Sequence, residues 1–323
     1  MGTKYGNIYF MIQMKKELVI FAPAKVNLHL AVGDKRPDGF HNLESVFTAV
    51  DFGDTLYFIL KEEGESGLDI DEITMFGMEA NEQNPPIPPE KNIVLKALTL
   101  FRAKTHFSKA LGIKIEKRIP IGGGLGGGSS DAAAALLAFN KLAGFPLGFE
   151  ALLELAAALG SDVPFFIHQT TAAKVTGRGE CIQPVDLSFK HFVLVNPGFV
   201  SDTAAAFRLL DEQRDQRYSC RDAKMPEQKN KTGSFAPHLL FEFSHLCGAN
   251  FYNDFLDVFV DPEKSVYNSI ITGLYESGAE FAGLSGAGST CFGVFSGEES
   301  GLRAAAALRD VYGFAEYCRT FLF

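Results

Sequence analysis

The chain contains no tryptophan and few cysteines, and the five cysteines are widely spaced without forming a Cys-x-x-Cys pair. That pattern argues against a disulfide framework and against a structural zinc site, and it favours free thiols in a reducing compartment. No run approaches the roughly 18 apolar residues that span a bilayer. The apolar stretch at residues 8–12 is also too short for a signal peptide. These absences predict a cytoplasmic protein with no membrane partner, whose chain starts at Met1 or at Met14.

Positive charge is also scarce, because 30 basic residues face 39 acidic ones and the formal net charge is −9. Binding to nucleic acid favours a basic balance, so we expect no nucleic-acid partner. Apolar residues make up 46% of the chain and charged residues 21%, as in ordinary globular proteins. A length of 323 residues suits two domains, or one large α/β domain, with a core that needs no disulfides.

Glycine is abundant, and its distribution is the most informative feature of the sequence. Of the 32 glycines, six fall within the seven residues 122–128. This run follows a strand predicted at residues 113–119 and precedes a helix predicted to begin at residues 129–131. Without Cβ atoms the backbone can approach a ligand closely, and successive N–H groups at a helix start can form a phosphate cradle. A plain turn needs only one or two glycines, so the run predicts a phosphate site.

Two common phosphate loops fit the glycine run poorly. The P-loop pattern requires a lysine before its serine or threonine, and no lysine precedes Ser129. The dinucleotide pattern Gly-x-Gly-x-x-Gly matches at Gly122, Gly124 and Gly127, but a run this rich in glycine matches it almost automatically. That pattern also requires a buried parallel strand before it and an acidic residue about 20 positions later. A nicotinamide- or flavin-dependent oxidoreductase stays open as an alternative.

Hydrophobic periodicity predicts strands and helices along the rest of the chain. Predicted strands lie at residues 17–21, 45–50, 55–60, 191–195 and 291–295, and predicted helices at 92–101, 150–159, from 164, 203–212, 266–276 and 301–311. A polar segment at 213–234 is predicted to be a surface loop. The chain therefore divides into two α+β halves, joined between residues 170 and 190.

Three motifs follow one another along the chain: Pro23-Ala-Lys-Val-Asn-Leu28, the phosphate loop Pro120-Ile-Gly-Gly-Gly-Leu-Gly-Gly-Gly-Ser-Ser130, and Leu284-Ser-Gly-Ala-Gly-Ser-Thr290. They resemble the motifs of the GHMP kinases, a family that includes galactose, homoserine, mevalonate and phosphomevalonate kinases. The resemblance implies an α+β, two-domain GHMP kinase fold. A ribosomal-protein-S5-domain-2-like, ATP-binding N-terminal domain is expected at residues 15–180, and a ferredoxin-like C-terminal domain at 181–323.

Further strings resemble the branch of this family that phosphorylates 4-diphosphocytidyl-2-C-methyl-D-erythritol. They are Lys35-Arg-Pro-Asp-Gly-Phe-His41, Gly126-Gly-Gly-Ser-Ser-Asp-Ala-Ala133, Leu159-Gly-Ser-Asp-Val-Pro-Phe165, Thr176-Gly-Arg-Gly-Glu180, Asn196-Pro-Gly198 and Asn253-Asp254. The resemblance implies phosphorylation of that substrate's 2-hydroxyl with ATP and Mg²⁺, a step of non-mevalonate isoprenoid synthesis. Phe40 departs from the pattern, because tyrosine is usual before the histidine, and the third motif also departs from its commoner form.

The resemblance implies two catalytic residues, Asp162 and Lys25. A carboxylate at Asp162 would accept the proton of the substrate hydroxyl during phosphoryl transfer, and Lys25 would keep that carboxylate ionised. On position alone, Asp162 could instead cap the helix that begins near Pro164. Lys25 could be a solvated strand residue, but its apolar neighbours argue against a side chain that is merely exposed to solvent.

The resemblance also implies the ligand contacts. ATP contacts are expected from Pro120, Ile121, Gly122, Gly123, Gly124, Leu125, Gly126, Gly127, Gly128, Ser129 and Ser130, and substrate contacts from Asn27, Phe40, His41, Thr203 and Phe207. His41 would hydrogen-bond the cytosine edge, although Phe207 could simply be a core residue. No metal-ligating residue is assigned. Ser129 and Ser130 could serve phosphate or Mg²⁺, with Ser130 as the candidate Mg²⁺ ligand, or both could cap the helix.

Three other functions remain open from the sequence. A sister kinase could act on mevalonate, phosphomevalonate or homoserine, but such a site has no use for a pyrimidine-reading histidine at position 41. The oxidoreductase described above is the second. A catalytically inactive nucleotide-binding module is the third, and the presence of both Lys25 and Asp162 argues against it.

Overall fold

The computed structural model describes residues 12–14, 17–61, 71–77, 88, 91–187, 190–219 and 251–323. The strands are β1 (Ile12–Met14), β2 (Glu17–Lys35), β3 (His41–Leu60), β4 (Glu72–Phe76), β5 (Leu111–Glu116), β6 (Ala172–Gly177), β7 (Cys181–Pro184), β8 (His191–Asn196), β9 (Phe281–Leu284), β10 (Cys291–Phe295) and β11 (Phe314–Arg319). The helices are α1 (Ile93–Thr105), α2 (Gly127–Leu142), α3 (Phe149–Leu159), α4 (Val163–Ile167), α5 (Thr203–Ser219), α6 (Asp254–Val258), α7 (Glu263–Glu276) and α8 (Glu298–Tyr312). Met1, residues 220–234, Cys220 and Cys247 lie outside the described residues.

The first sheet is organised around the long strand β3. Its order is β1-β2-β3-β5-β4, with β6 also paired to β3 and β7 to β6, and β4 with β5 is its one parallel pair. The prediction of two strands at residues 45–50 and 55–60 is wrong, because the segment between them stays paired with β2. Gly53 pairs with Pro23 and Val50 with Ala24 across a register shift. The polar residues between the two runs therefore mark a bulge and not a turn.

Helices α1 to α4 cover one face of this sheet and enclose the first core. Residues 130–140 of α2 are buried all round, as expected for a helix that has neighbours on every side. Phe58 of β3 packs edge-on against Phe139 of α2, with ring centroids 5.5 Å apart. The core is closed by α4, whose Phe165 meets Phe47 of β3 at 5.4 Å.

The second sheet has the order β11-β8-β10-β9, and all its pairs are antiparallel. With the helices between β8 and β9 and between β10 and β11, this is the βαββαβ order of a ferredoxin-like domain. The predicted α+β, two-domain architecture is confirmed. The first sheet ends at Pro184 and the second begins at His191, whereas the domain boundary after residue 180 stays a prediction.

Two expectations about local structure are corrected. The segment 213–234, predicted to be a loop, is helical at its start, since α5 continues to Ser219. Arg214 in this helix donates hydrogen bonds to the carbonyl oxygens of Val32 (2.5 Å) and Gly33 (2.8 Å). The dinucleotide fold is excluded, because β5 pairs antiparallel with β3 and α2 is followed by α3 without an intervening strand. Within the described part of the chain, no helix has the length and apolarity to cross a membrane.

Candidate active site

A cavity of about 960 Å³ lies between the glycine run, β2 and the first turns of α5. Its volume is at the upper end of the roughly 300–1,000 Å³ typical of small-molecule sites. The predicted site residues that line it are Lys25, Asn27, Phe40, His41, Pro120, Ile121, Gly122, Gly123, Gly124, Leu125, Gly126, Gly127, Gly128, Ser129, Asp162, Thr203 and Phe207. The fold therefore brings all but one of the predicted site residues to the same cavity.

Ser130 is the exception. Helix α2 begins at Gly127, two residues before Ser129, so Ser129 and Ser130 both lie in its first turn, about 100° apart around the axis. Ser129 lines the cavity, whereas Ser130 is fully buried and its hydroxyl has no hydrogen-bond partner among the described residues. The structure contradicts Ser130 as a contact for ATP or Mg²⁺ and leaves Ser129 as the hydroxyl that faces a ligand.

The glycine run has the backbone geometry of an anion cradle. Gly122, Gly124 and Gly126 have φ values of 65°, 74° and 69°, and the residues between them do not have positive φ. Such alternation turns successive N–H groups toward one side. The run leads directly into α2, whose N-cap Gly126 offers no side chain to the first N–H groups. Unpaired donors and the positive end of the helix dipole thus face the cavity together.

The third motif, the glycine turn at residues 284–290, packs directly against the glycine run. The N–H of Thr290 donates to the carbonyl oxygen of Gly123 (3.1 Å), and the Ser285 hydroxyl donates to that of Gly124 (2.9 Å). The N–H of Asn27 in turn donates to the Ser285 hydroxyl (3.2 Å). A Cβ on Gly124 would lie 2.1 Å from the Ser285 carbonyl oxygen. Contact this close ties the three motifs together and leaves no room for a side chain at residue 124.

A buried ion pair lies beside the cradle. The ammonium group of Lys25, only 4% exposed, lies 3.3 Å from the Asp162 carboxylate, which is 27% exposed. The same ammonium donates to Asn27 Oδ1 at 2.5 Å and lies 4.6 Å from the centre of the Phe47 ring. Asp162 makes no capping hydrogen bond to α4, so the capping alternative does not describe its side chain. One carboxylate oxygen is thus held by lysine while the side chain still faces the cavity.

The other end of the cavity is aromatic and contains a carboxylate that sequence reasoning missed. The ring of His41, 7% exposed, stacks on Phe207 with centroids 5.0 Å apart, and its Nε2 lies 2.8 Å from Asp211 Oδ1. The ammonium of Lys35 donates to Asp211 Oδ2 at 2.9 Å. Phe207 and Asp211 lie four positions apart on α5, and side chains with this spacing lie on the same face of a helix. Helical spacing from the predicted contact Phe207 could therefore have identified Asp211.

Phe40 and Thr203 complete this end. The Phe40 ring is 49% exposed and lies 4.1 Å from the guanidinium carbon of Arg178, a cation–π contact. Thr203 is the first residue of α5, whose start is capped by Asp202 through hydrogen bonds from the N–H groups of Ala204 and Ala205. Arg178 also lines the cavity, so this end offers aromatic faces together with positive charge.

A second buried charge cluster, also missed from the sequence, lies beneath the glycine run. Lys117 forms ion pairs with Asp54 and, at 2.8 Å, with Asp131 of α2, and both Lys117 and Asp131 line the cavity. Asp54 also accepts hydrogen bonds from the N–H groups of Arg118 and Ile119, whereas Asp131 Oδ1 has no hydrogen-bond partner in the part of the chain that the structure describes. Burial raises the pKa of Asp131 to about 7, against the opposing effect of Lys117. Burial alone would lower the pKa of Lys117, but the two carboxylates outweigh it and raise that pKa.

Comparison with known proteins agrees with this geometry. The family models "GHMP kinases N terminal domain" and "GHMP kinases C terminal" match residues 92–170 and 239–313. The curated 4-diphosphocytidyl-2-C-methyl-D-erythritol kinases of Burkholderia thailandensis and Burkholderia mallei are each 40% identical over 196 residues. That match covers 61% of this chain and 62% of the relatives, so the chain spans a little under two thirds of their length.

Solved structures extend the likeness over the whole fold. A crystal structure of a 4-(cytidine 5′-diphospho)-2C-methyl-D-erythritol kinase has a TM-score of 0.72 and 27% identity, and the match covers 93% of this chain and 98% of that one. The homoserine kinase of Cytophaga hutchinsonii has a TM-score of 0.63 at 17% identity and covers 98% of each chain. The second likeness concerns the fold alone.

We expect Gly124→Ala to destabilise the protein and to abolish nucleotide binding. The new methyl group would meet the Ser285 carbonyl in a conformation that side chains rarely adopt. Gly148→Ala is the matched control, because residue 148 has a φ of −77°, lies outside the cavity lining, and a Cβ there would meet no described atom within 4 Å. Thermal unfolding and ATP titration of both variants test this. Equal behaviour of the two variants would contradict the close approach.

The buried Asp131 predicts a pH dependence of stability. Its pKa of about 7 in the folded protein exceeds the value of about 4 expected in the unfolded chain. The folded state therefore holds an extra proton between those pH values, and stability falls as pH rises through this range. Asp131→Asn removes that proton, so its unfolding temperature should fall less than that of the wild type between about pH 5 and about pH 8. Parallel curves for the two proteins would show that Asp131 does not titrate in this range.

Proposed function

This chain belongs to the GHMP kinase family, and we propose that it transfers the γ-phosphoryl group of ATP to the 2-hydroxyl of 4-diphosphocytidyl-2-C-methyl-D-erythritol. The products would be the 2-phosphate and ADP, a step of non-mevalonate isoprenoid precursor synthesis in the cytoplasm. The observation that carries the proposal is the Lys25–Asp162 pair, at 3.3 Å, in a cavity that has a phosphate cradle and a separate aromatic end. Curated relatives named 4-diphosphocytidyl-2-C-methyl-D-erythritol kinase, which are 40% identical to this chain over the matched residues, support the choice of acceptor.

The glycine run is the proposed binding site of the ATP phosphates. Its alternating φ values and the uncapped start of α2 supply N–H donors for anionic oxygens. The Ser129 hydroxyl and the Asp162 carboxylate both line the cavity. Such a small set of oxygen donors suits Mg²⁺, which binds largely through substrate phosphates and retains water. Bound Mg²⁺ would neutralise phosphate charge.

In the proposed mechanism, Asp162 takes the proton of the acceptor hydroxyl while that oxygen forms its bond to the γ-phosphorus. The bond between the γ-phosphorus and the bridging oxygen breaks, and ADP leaves with the electron pair. Lys25, whose ammonium lies 3.3 Å from the Asp162 carboxylate, holds that carboxylate in place and offsets negative charge on the transferring group. Asn27 accepts a hydrogen bond from the same ammonium, which fixes where the charge lies. Positioning and charge stabilisation thus supply most of the catalysis expected for phosphoryl transfer.

The aromatic end supports a base-containing acceptor over mevalonate or homoserine. A pyrimidine ring gains from aromatic faces, and Phe40 and Phe207 both line this part of the cavity. Arg178 supplies positive charge for a diphosphate linker. Small aliphatic acceptors offer neither a ring for the aromatic faces nor a base edge for His41.

We expect Asp162→Asn to fold and to bind both substrates, but to lose roughly 10²–10⁴ in kcat, the usual range for general-base catalysis. The change preserves the side-chain shape and removes only the carboxylate. Asp310→Asn, an exposed position on α8, is the control and should keep wild-type turnover. Steady-state ADP release measures kcat, and calorimetry measures binding. Activity of Asp162→Asn within a few-fold of the wild type would refute the proposed base.

A further inference from the structure

The hydrogen-bonding state of His41 is set by its neighbours. Nε2 of the ring lies 2.8 Å from Asp211 Oδ1, and the face of the ring is stacked on Phe207 at an interplanar angle of 21°. Phe207 is itself held edge-on by Phe255, with centroids 4.9 Å apart. The imidazole is therefore oriented both by its partner and by its packing, and His41 lines the cavity.

Asp211 can only accept hydrogen bonds. Burial alone would raise its pKa, but the hydrogen bonds from Lys35 and His41 outweigh burial and lower that pKa below the ordinary value. An ionised carboxylate carries no proton to donate, so Nε2 of His41 must donate. In a neutral imidazole the proton on Nε2 leaves Nδ1 with a lone pair. The pair thus fixes one tautomer of His41, with Nδ1 as acceptor.

We propose that Asp211 is a positioning residue that sets the base specificity of the acceptor site through the tautomer of His41. This inference rests on the proposed function. The lone pair of Nδ1 accepts a hydrogen bond from the 4-amino group of a cytosine ring. A uracil ring has an oxygen at position 4, which would face that lone pair and repel it. A site that pairs a buried polar group with its ligand rejects the analogue that leaves the group unpaired.

Lys35 determines how an amide at position 211 would be oriented, because an ammonium group can only donate hydrogen bonds and therefore faces an oxygen. It lies 2.9 Å from Asp211 Oδ2. In Asp211→Asn, the amide oxygen turns toward Lys35, and the amide NH₂ then faces Nε2 of His41. Nε2 becomes the acceptor, the proton moves to Nδ1, and the ring now favours an oxygen at position 4. The substitution therefore predicts a change in the sign of the preference, which a simple loss of structure would not produce.

The test compares cytidine 5′-diphosphate with uridine 5′-diphosphate by calorimetric titration of each protein. We expect the wild type to bind the cytidine compound roughly tenfold or more tightly than the uridine compound, as for the loss of one hydrogen bond with its partner left unpaired. Asp211→Asn should favour the uridine compound, and equal binding of the two compounds by this variant would overturn the inference. Lys35→Met is the matched control: it removes the other partner of Asp211 and keeps the carboxylate, so its cytidine preference should equal that of the wild type.

Nitrogen NMR of the His41 ring in the wild type provides a second measurement, independent of any variant. It should show the proton on Nε2, and a proton on Nδ1 in the neutral ring would overturn the inference. Retention of the wild-type preference in Asp211→Asn would also overturn it, while leaving the kinase proposal intact. Failure of the wild type to bind either nucleotide would instead refute the cytidyl acceptor, and the inference would fall with it.

Discussion

The burial of one ammonium group, that of Lys25, is the constraint on which the rest of the site depends. A buried lysine must find a charged or polar partner, because leaving it unpaired costs several kcal/mol. Asp162 and Asn27 supply those partners, and Phe47 covers the remaining side. The lysine stem also occupies the space in which a side chain at Gly126 would lie, since a Cβ there would be 2.9 Å from Lys25 Cγ. The strand, the glycine run and α4 are thus held in one arrangement.

Much of this arrangement could be predicted from the sequence, because the informative signals are local. The glycine run at residues 122–128, the helix after it and the glycine turn at 284–290 each follow from short-range backbone chemistry. Resemblance to the GHMP kinases then brought Lys25 and Asp162 together, although position alone favoured a helix cap for Asp162. The structure supports the functional interpretation, because Asp162 makes no capping bond.

What could not be predicted depends on contacts between distant segments. Asp54, Lys117 and Asp131 form a cluster only after β3, the end of β5 and α2 have packed together. The same holds for Asp211, which gains its proposed role only because Lys35 of β2 and His41 of β3 approach it. Ser130 was assigned to the cavity from the motif alone, but α2 begins at Gly127 and the Ser130 side chain is buried in the core. The type of a residue indicates which reaction or contact its side chain could take part in, but the burial and orientation of that side chain decide whether it can reach a ligand.

The central claim is that the cavity joins a phosphate donor at the glycine run to a cytidyl acceptor at the aromatic end. The most direct measurement is ATP-dependent release of ADP with each candidate acceptor in turn. 4-Diphosphocytidyl-2-C-methyl-D-erythritol should be turned over, and mevalonate, phosphomevalonate and homoserine should give only the background rate. Turnover of mevalonate or homoserine as fast as the cytidyl compound would contradict the assignment and leave only the family.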